Sequence, residues 1–129
     1  MTHVLAIAAG GAIGALLRYW TSTAVHSRMG EGFPYGTLTV NVTGSLLMGF
    51  LYIWLIERLD VGPALRAFLL IGILGAFTTF STYSLEVLSL GRLQDYRLAA
   101  IYVVSSNLLC ITAVLAGFAL ARAFAPAAP

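Results

Sequence analysis

The sequence predicts an all-α membrane protein: four transmembrane helices in a single domain covering residues 1–129. Three observations lead there. Hydrophobic residues make up 60% of the chain and charged residues only 9%, against about 25% charged in a soluble domain. So few charges cannot cover a soluble surface, whereas lipid accepts apolar side chains outward. The mean hydropathy, +0.92, agrees. Finally, the apolar residues gather into four segments, each near the ~20 residues that a span needs.

The first segment runs from about Val4 to about Val25. No positive region precedes it and it is long for a signal core, so it reads as a permanent span. Gly10 and Gly14 form a small-xxx-small pair, the pattern of close helix packing. Arg18 is the odd member, because a charge at the centre of a span costs at least ~2.5 kcal/mol. It lies about a turn from the end, beside Tyr19 and Trp20, aromatics of the headgroup level. Two readings stand: the side chain snorkels to the surface, or it draws anions into a mouth. The following loop, His26 to Gly36, is Gly-rich and reads as a turn region. His26 and His3 have no acidic or nucleophilic partner nearby in sequence and read as surface residues.

The second segment runs from about Thr37 to about Ile56. Thr37, Asn41 and Ser45 fall at i, i+4 and i+8, on one helical face. A buried amide can glue helices together. It can also present two N–H donors to an anion. The stripe of three polar residues favours a lining role for Asn41. A short charged loop, Glu57 to Pro63, follows.

The third segment, about Leu65 to about Leu90, is long enough to be tilted or to break near Gly75. It carries Thr78, Thr79, Ser81, Thr82 and Ser84 within seven residues. Polar groups in a membrane turn toward partner helices or a wet path. Broken helices are tolerated there where the freed carbonyls face a cavity or an ion. Phe80, Tyr83 and Glu86 share a slowly drifting face. Glu86 reads as a partly wet carboxylate in a vestibule, or as a partner of an Arg.

The loop Gly91 to Arg97 leads to the fourth segment, about Leu98 to about Arg122. Tyr102, Ser106 and Cys110 stand at i, i+4 and i+8, flanked by Ser105 and Asn107. Ala113 and Gly117 supply another small-xxx-small pair. The tail, Phe124 to Pro129, cannot continue a helix far. Cys110 is the single cysteine, so no intrachain disulfide forms, and it reads as a small buried hydrophobe.

Composition excludes several functions. All basic residues are Arg and none cluster, so nucleic acid is not a partner. No dinucleotide turn, Walker loop, zinc-protease motif or nucleophile elbow appears, and no pair of carboxylates is evident. An enzyme reading has no support. With Arg18 inside the first span set aside, the arginines divide evenly between the two sides of the membrane. Arg58, Arg66 and Arg122 lie with the termini; Arg28, Arg92 and Arg97 lie opposite. That tie permits insertion in both directions. Two oppositely inserted copies can form a dimer with a two-fold axis in the membrane plane.

The lining groups are an amide, hydroxyls and aromatic rings. Hydroxyls serve ions of either sign. Ring edges are electropositive, so Phe80 and Tyr83 tilt the choice toward a small anion stripped of water. A ring of fixed positive charge would bind such an ion too tightly for release.

The chain resembles the Fluc (CrcB) family of fluoride channels. The likeness rests on Gly10 to Tyr19, on Gly36-Thr37-Leu38-Thr39-Val40-Asn41, and on Gly75 through Ser84 followed by Glu86. It covers nearly the whole chain. It implies an antiparallel, dual-topology homodimer in the plasma membrane, the inner membrane of a bacterium, with the third helix broken near its middle. It implies passive export of fluoride through two narrow pores, and a central structural Na⁺ held by the backbone carbonyls of Gly75 and Thr78. Pore residues would be Asn41, Thr79, Phe80, Ser81, Thr82, Tyr83, Tyr102 and Ser106, with Arg18 and Glu86 at the vestibule. Fluoride, lipid and a second copy are the implied partners. Three positions depart from the family pattern: Ala76 where Gly is common, Tyr83 where Phe is usual, and Cys110 in place of a hydroxyl residue. The alternative, a small multidrug-type proton-coupled exporter, requires an acidic residue in the first span, where this chain has Arg18.

Overall fold

A computed structural model describes residues 1–124. Helix α1 covers Thr2–Met29 and helix α2 covers Tyr35–Arg58. The third span, Pro63–Arg92, is two helices: α3, residues 63–77, and α4, Phe80–Arg92. Helix α5 covers Tyr96–Phe124. All four spans are long and apolar enough to cross a bilayer. The tail reading for Ala125 to Pro129 lies outside the described residues.

Each helix outruns the apolar segment that predicts it, because amphipathic end residues continue the helix into the interface. The loop expected over Gly91 to Arg97 shrinks to residues 93–95. Gln94 turns the chain with φ 60°, and Asp95 Oδ1 accepts from Leu98 N at 3.0 Å, capping α5. The first loop turns at Gly30, where φ is 80° and glycine is favoured. Phe33 in that loop then lays its ring against Tyr102 of α5, with centroids 5.3 Å apart. At the other end, Pro63 opens α3 at its first turn, and Arg66 pairs with Asp60.

Small residues let the helices meet backbone to backbone. A Cβ added at Gly14 would collide with the Ile73 carbonyl, and one at Gly72 would lie 2.9 Å from Gly10 Cα. The small-xxx-small pair of α1 is thus a seam against α3. Gly49 of α2 and Gly117 of α5 form a second seam.

These two seams explain the division of the third span. Its first half packs on α1 and its second half on α5, so the chain must leave one neighbour and join the other between them. Within the first half, Ala67–Leu74 is wound as a wide π-helix. The buried core is small: Val40, Ile53, Leu74, Tyr83 and Tyr102 are its larger members. Leu16, Leu88, Leu108, Ile111 and Leu115 face outward, as lipid-facing residues do.

Candidate functional site

The break in the third span comes one turn later than the expected position near Gly75. Gly75 itself keeps helical angles, φ −63° and ψ −35°. The backbone becomes extended at Thr78 (φ −87°, ψ 157°) and Thr79 (φ −150°, ψ 120°). What stops the helix is therefore chemistry at Thr79, not the freedom of glycine. Thr79 Oγ1 accepts from Thr82 N at 3.2 Å and so caps α4. Asn41, reaching across from α2, does the rest. Its Oδ1 accepts from Thr79 N at 2.8 Å and its Nδ2 donates to Thr79 O at 3.0 Å. One amide thus replaces the backbone partner that Thr79 N has lost and adds a second bond at Thr79 O.

Much of the hydroxyl cluster is spent on this local geometry. Thr78 Oγ1 donates back to Leu74 O at 3.0 Å and Ser84 Oγ to Phe80 O at 2.8 Å. Thr79 Oγ1 donates to Thr82 Oγ1 at 3.0 Å and lies 3.3 Å from Ser81 Oγ.

The break releases carbonyls. In a continuous helix Thr79 N would donate to Gly75 O, and Thr82 N to Thr78 O. Here those two donors go to Asn41 Oδ1 and Thr79 Oγ1. Gly75 and Thr78, the carbonyls expected to hold a cation, are among those set free. Ala76 O takes another partner: Arg18 Nε donates to it at 3.1 Å. Neither reading of Arg18 foresaw this contact. The guanidinium reaches the break through this bond.

Two hollows flank the Asn41–Thr79 pair. One, of about 290 Å³, brings together Asn41, Thr78, Thr79, Phe80, Tyr83 and Ser106, with Ser45 and Cys110 on its walls. Phe80 stands at its edge, 76% exposed in the single chain. The Phe80 and Tyr83 rings are tilted by 44° with centroids 5.3 Å apart. Ser106 is buried, and its Oγ has no partner among the described residues. The second hollow, of about 220 Å³, lies on the α1 side and is lined by Arg18, Tyr19, Ser22, Thr37, Thr79 and Thr82.

Ser81, Tyr102 and Glu86 line neither hollow. Tyr102 is fully buried and its hydroxyl donates to Glu86 Oε2 at 2.7 Å. Thr37 Oγ1 donates to Glu86 Oε1 at 2.7 Å. Glu86 therefore ties α2 to α5 through two hydroxyls; no ion pair to an Arg is found for it among the described residues. Asn107, read only as flanking the polar line of the fourth span, donates from Nδ2 to Tyr83 Oη at 3.1 Å. Its being an amide in an apolar helix was the available signal.

Four spans, a helix broken in mid-membrane and a groove lined by uncharged polar groups define the class: a multi-pass membrane protein built around an intramembrane polar site. The chain belongs to the CrcB family, described as "CrcB-like protein, Camphor Resistance (CrcB)", which matches residues 5–118. Relatives named "Fluoride-specific ion channel FluC" are similar along most of the chain. That of Methylococcus capsulatus is 48% identical over 95% of this chain and 54% of its own length. The chain thus spans about half of that relative. The Magnetococcus marinus relative is 48% identical over 90% of this chain and 94% of its own. The Rhizobium meliloti relative is 44% identical over 95% of this chain and 98% of its own. The family is not enzymatic, and its bacterial members are multi-pass proteins of the plasma membrane.

Proposed function

We propose that the chain is a fluoride channel that lets the anion leave the cell passively. The observation that carries this reading is the groove beside the break, where Asn41, Ser106, Tyr83 and Phe80 converge with no charged side chain among its lining residues. Uncharged donors replace water around a small anion without trapping it. The naming of the relatives supports fluoride as that anion. Asn41 spends one of its two N–H bonds on Thr79 O and keeps the other for the path. Arg18, in the adjoining hollow, supplies the positive field that gathers anions at the mouth.

In this reading two copies insert antiparallel, each completing the other's groove, which gives two pores. The outward stance of Phe80 in one copy supports a pore wall finished by the second. The Gly75 and Thr78 carbonyls of both copies would hold a structural Na⁺, which would supply a fixed positive charge there. Backbone carbonyls are hard oxygen donors of the kind that suits such a cation.

The deciding experiment places the protein in liposomes with a fluoride gradient and follows efflux by electrode. Rapid fluoride loss with chloride retained is expected. Equal loss of both ions, or of neither, defeats the proposal. Reporters fused to the C-terminus test dual insertion and are expected on both faces of the membrane.

A further inference from the structure

Asn107 and Tyr83 form a pair that the functional reading above does not use. The Asn107 amide is oriented by its other bond: Nδ2 also donates to Val103 O at 2.8 Å. A carbonyl can only accept, so the nitrogen must point that way. Both hydrogens of Nδ2 are thereby assigned, one to Val103 O and one to Tyr83 Oη. The Tyr83 oxygen is then an acceptor in this bond, and its own proton is free to be given elsewhere. No protein acceptor for that proton is found among the described residues.

The ring has little freedom to turn away. It is 8% exposed and packed between Phe80 and Tyr102, with centroids 5.3 and 5.2 Å away. Tyr83 lines the same groove as Ser106, whose buried Oγ also has no partner. These two hydroxyls, with no acceptor among the described residues, form a donor set in one groove. A hydroxyl that accepts a hydrogen bond is polarised and donates more strongly.

We propose that Asn107 is a positioning residue that makes the Tyr83 hydroxyl a donor to the permeating anion, beside Ser106. The assignment rests on the fluoride reading and deepens it. A tyrosine that merely fills space would not need its oxygen held. Phenylalanine at this position would leave one Asn107 N–H without its partner. The added donor deepens a binding point in the path, so its first effect is on the fluoride concentration at which transport saturates.

The test uses the full chain in liposomes, with initial fluoride efflux measured at stepped internal fluoride for Tyr83→Phe, Asn107→Leu and the double variant. Half-saturation is expected to rise about five-fold in each single variant and no further in the double, because the two residues act through one proton. Each variant is first checked for an unchanged elution profile in detergent. Should Asn107→Leu fail that check, Asn107→Ala takes its place: it removes the amide that holds the Tyr83 oxygen without adding charge, with the same rise. A second readout is the tyrosine C–O stretch in the infrared, expected to shift when fluoride is added and to lose that shift in Tyr83→Phe. Unchanged half-saturation in the single variants, multiplied effects in the double, or no fluoride-dependent shift overturns the assignment while the channel reading stands. If the unmodified chain moves no fluoride, the channel reading falls and the assignment with it.

Discussion

Asn41 and Thr79 are paired amide to backbone, with the side chain of one helix acting as a strand-like partner for the extended residue that divides another. The bonds are 2.8 and 3.0 Å, between residues 38 positions apart in sequence. Replacing Asn41 by Asp keeps the acceptor for Thr79 N but sets a second oxygen against Thr79 O. It also puts a negative charge in the anion's way. Fluoride efflux is expected to fall at least about ten-fold, the effect of ~1.4 kcal/mol, while the elution profile in detergent is unchanged.

Phe80 offers the second test of the path. It stands at the edge of the groove against Tyr83, and isoleucine would keep an apolar side chain while removing the electropositive ring edge. Phe80→Ile is expected to cut efflux by about ten-fold with assembly intact. Normal flux would remove Phe80 from the path.

The α1–α3 seam predicts a sharp contrast between neighbouring glycines. A side chain at Gly14 meets the Ile73 carbonyl, whereas one at Gly11 meets nothing within 4 Å. Gly14→Leu is expected to abolish a monodisperse peak in detergent, and Gly11→Leu to leave it unaltered. Overpacking of this kind costs about 1–3 kcal/mol even where neighbours can shift, and here the neighbour is backbone.

Glu86 accepts from Thr37 and from Tyr102, one hydroxyl to each oxygen. Gln at this position has one carbonyl oxygen, so one hydroxyl must face an N–H₂ group. Glu86→Gln is expected to destabilise the fold by about 1–3 kcal/mol, read as a lower melting temperature in detergent.

The Na⁺ proposal has its own check. Exchanging Na⁺ for a bulky organic cation is expected to lower the melting temperature of the protein, since a ligand bound only by the folded state stabilises it. Melting that is indifferent to the cation would leave the released Gly75 and Thr78 carbonyls without that guest.

The spans were legible because each is a simple run of apolar residues, and the α1 seam because Gly10 and Gly14 recur at helical spacing. The position of the break was not. Gly75 is the conspicuous breaker in sequence, yet it stays helical. The true stop depends on a side chain from another helix, and no local pattern announces which amide will reach which backbone. The partners of the polar residues were hidden for the same reason. The family resemblance put Tyr102 among the pore residues, and no spacing announced that its hydroxyl would donate to Glu86. Arg18 was weighed against lipid and against anions, and its contact is the Ala76 carbonyl. Helical spacing names the residues that can meet; packing decides which of them do.

The clasp of Asn41 on Thr79 carries a last consequence, for acid stress. Neither residue gains or loses a proton over the range that cells meet. A joint assembled from such groups holds its shape as the surroundings sour, when a passage hinged on carboxylates would be changing its own.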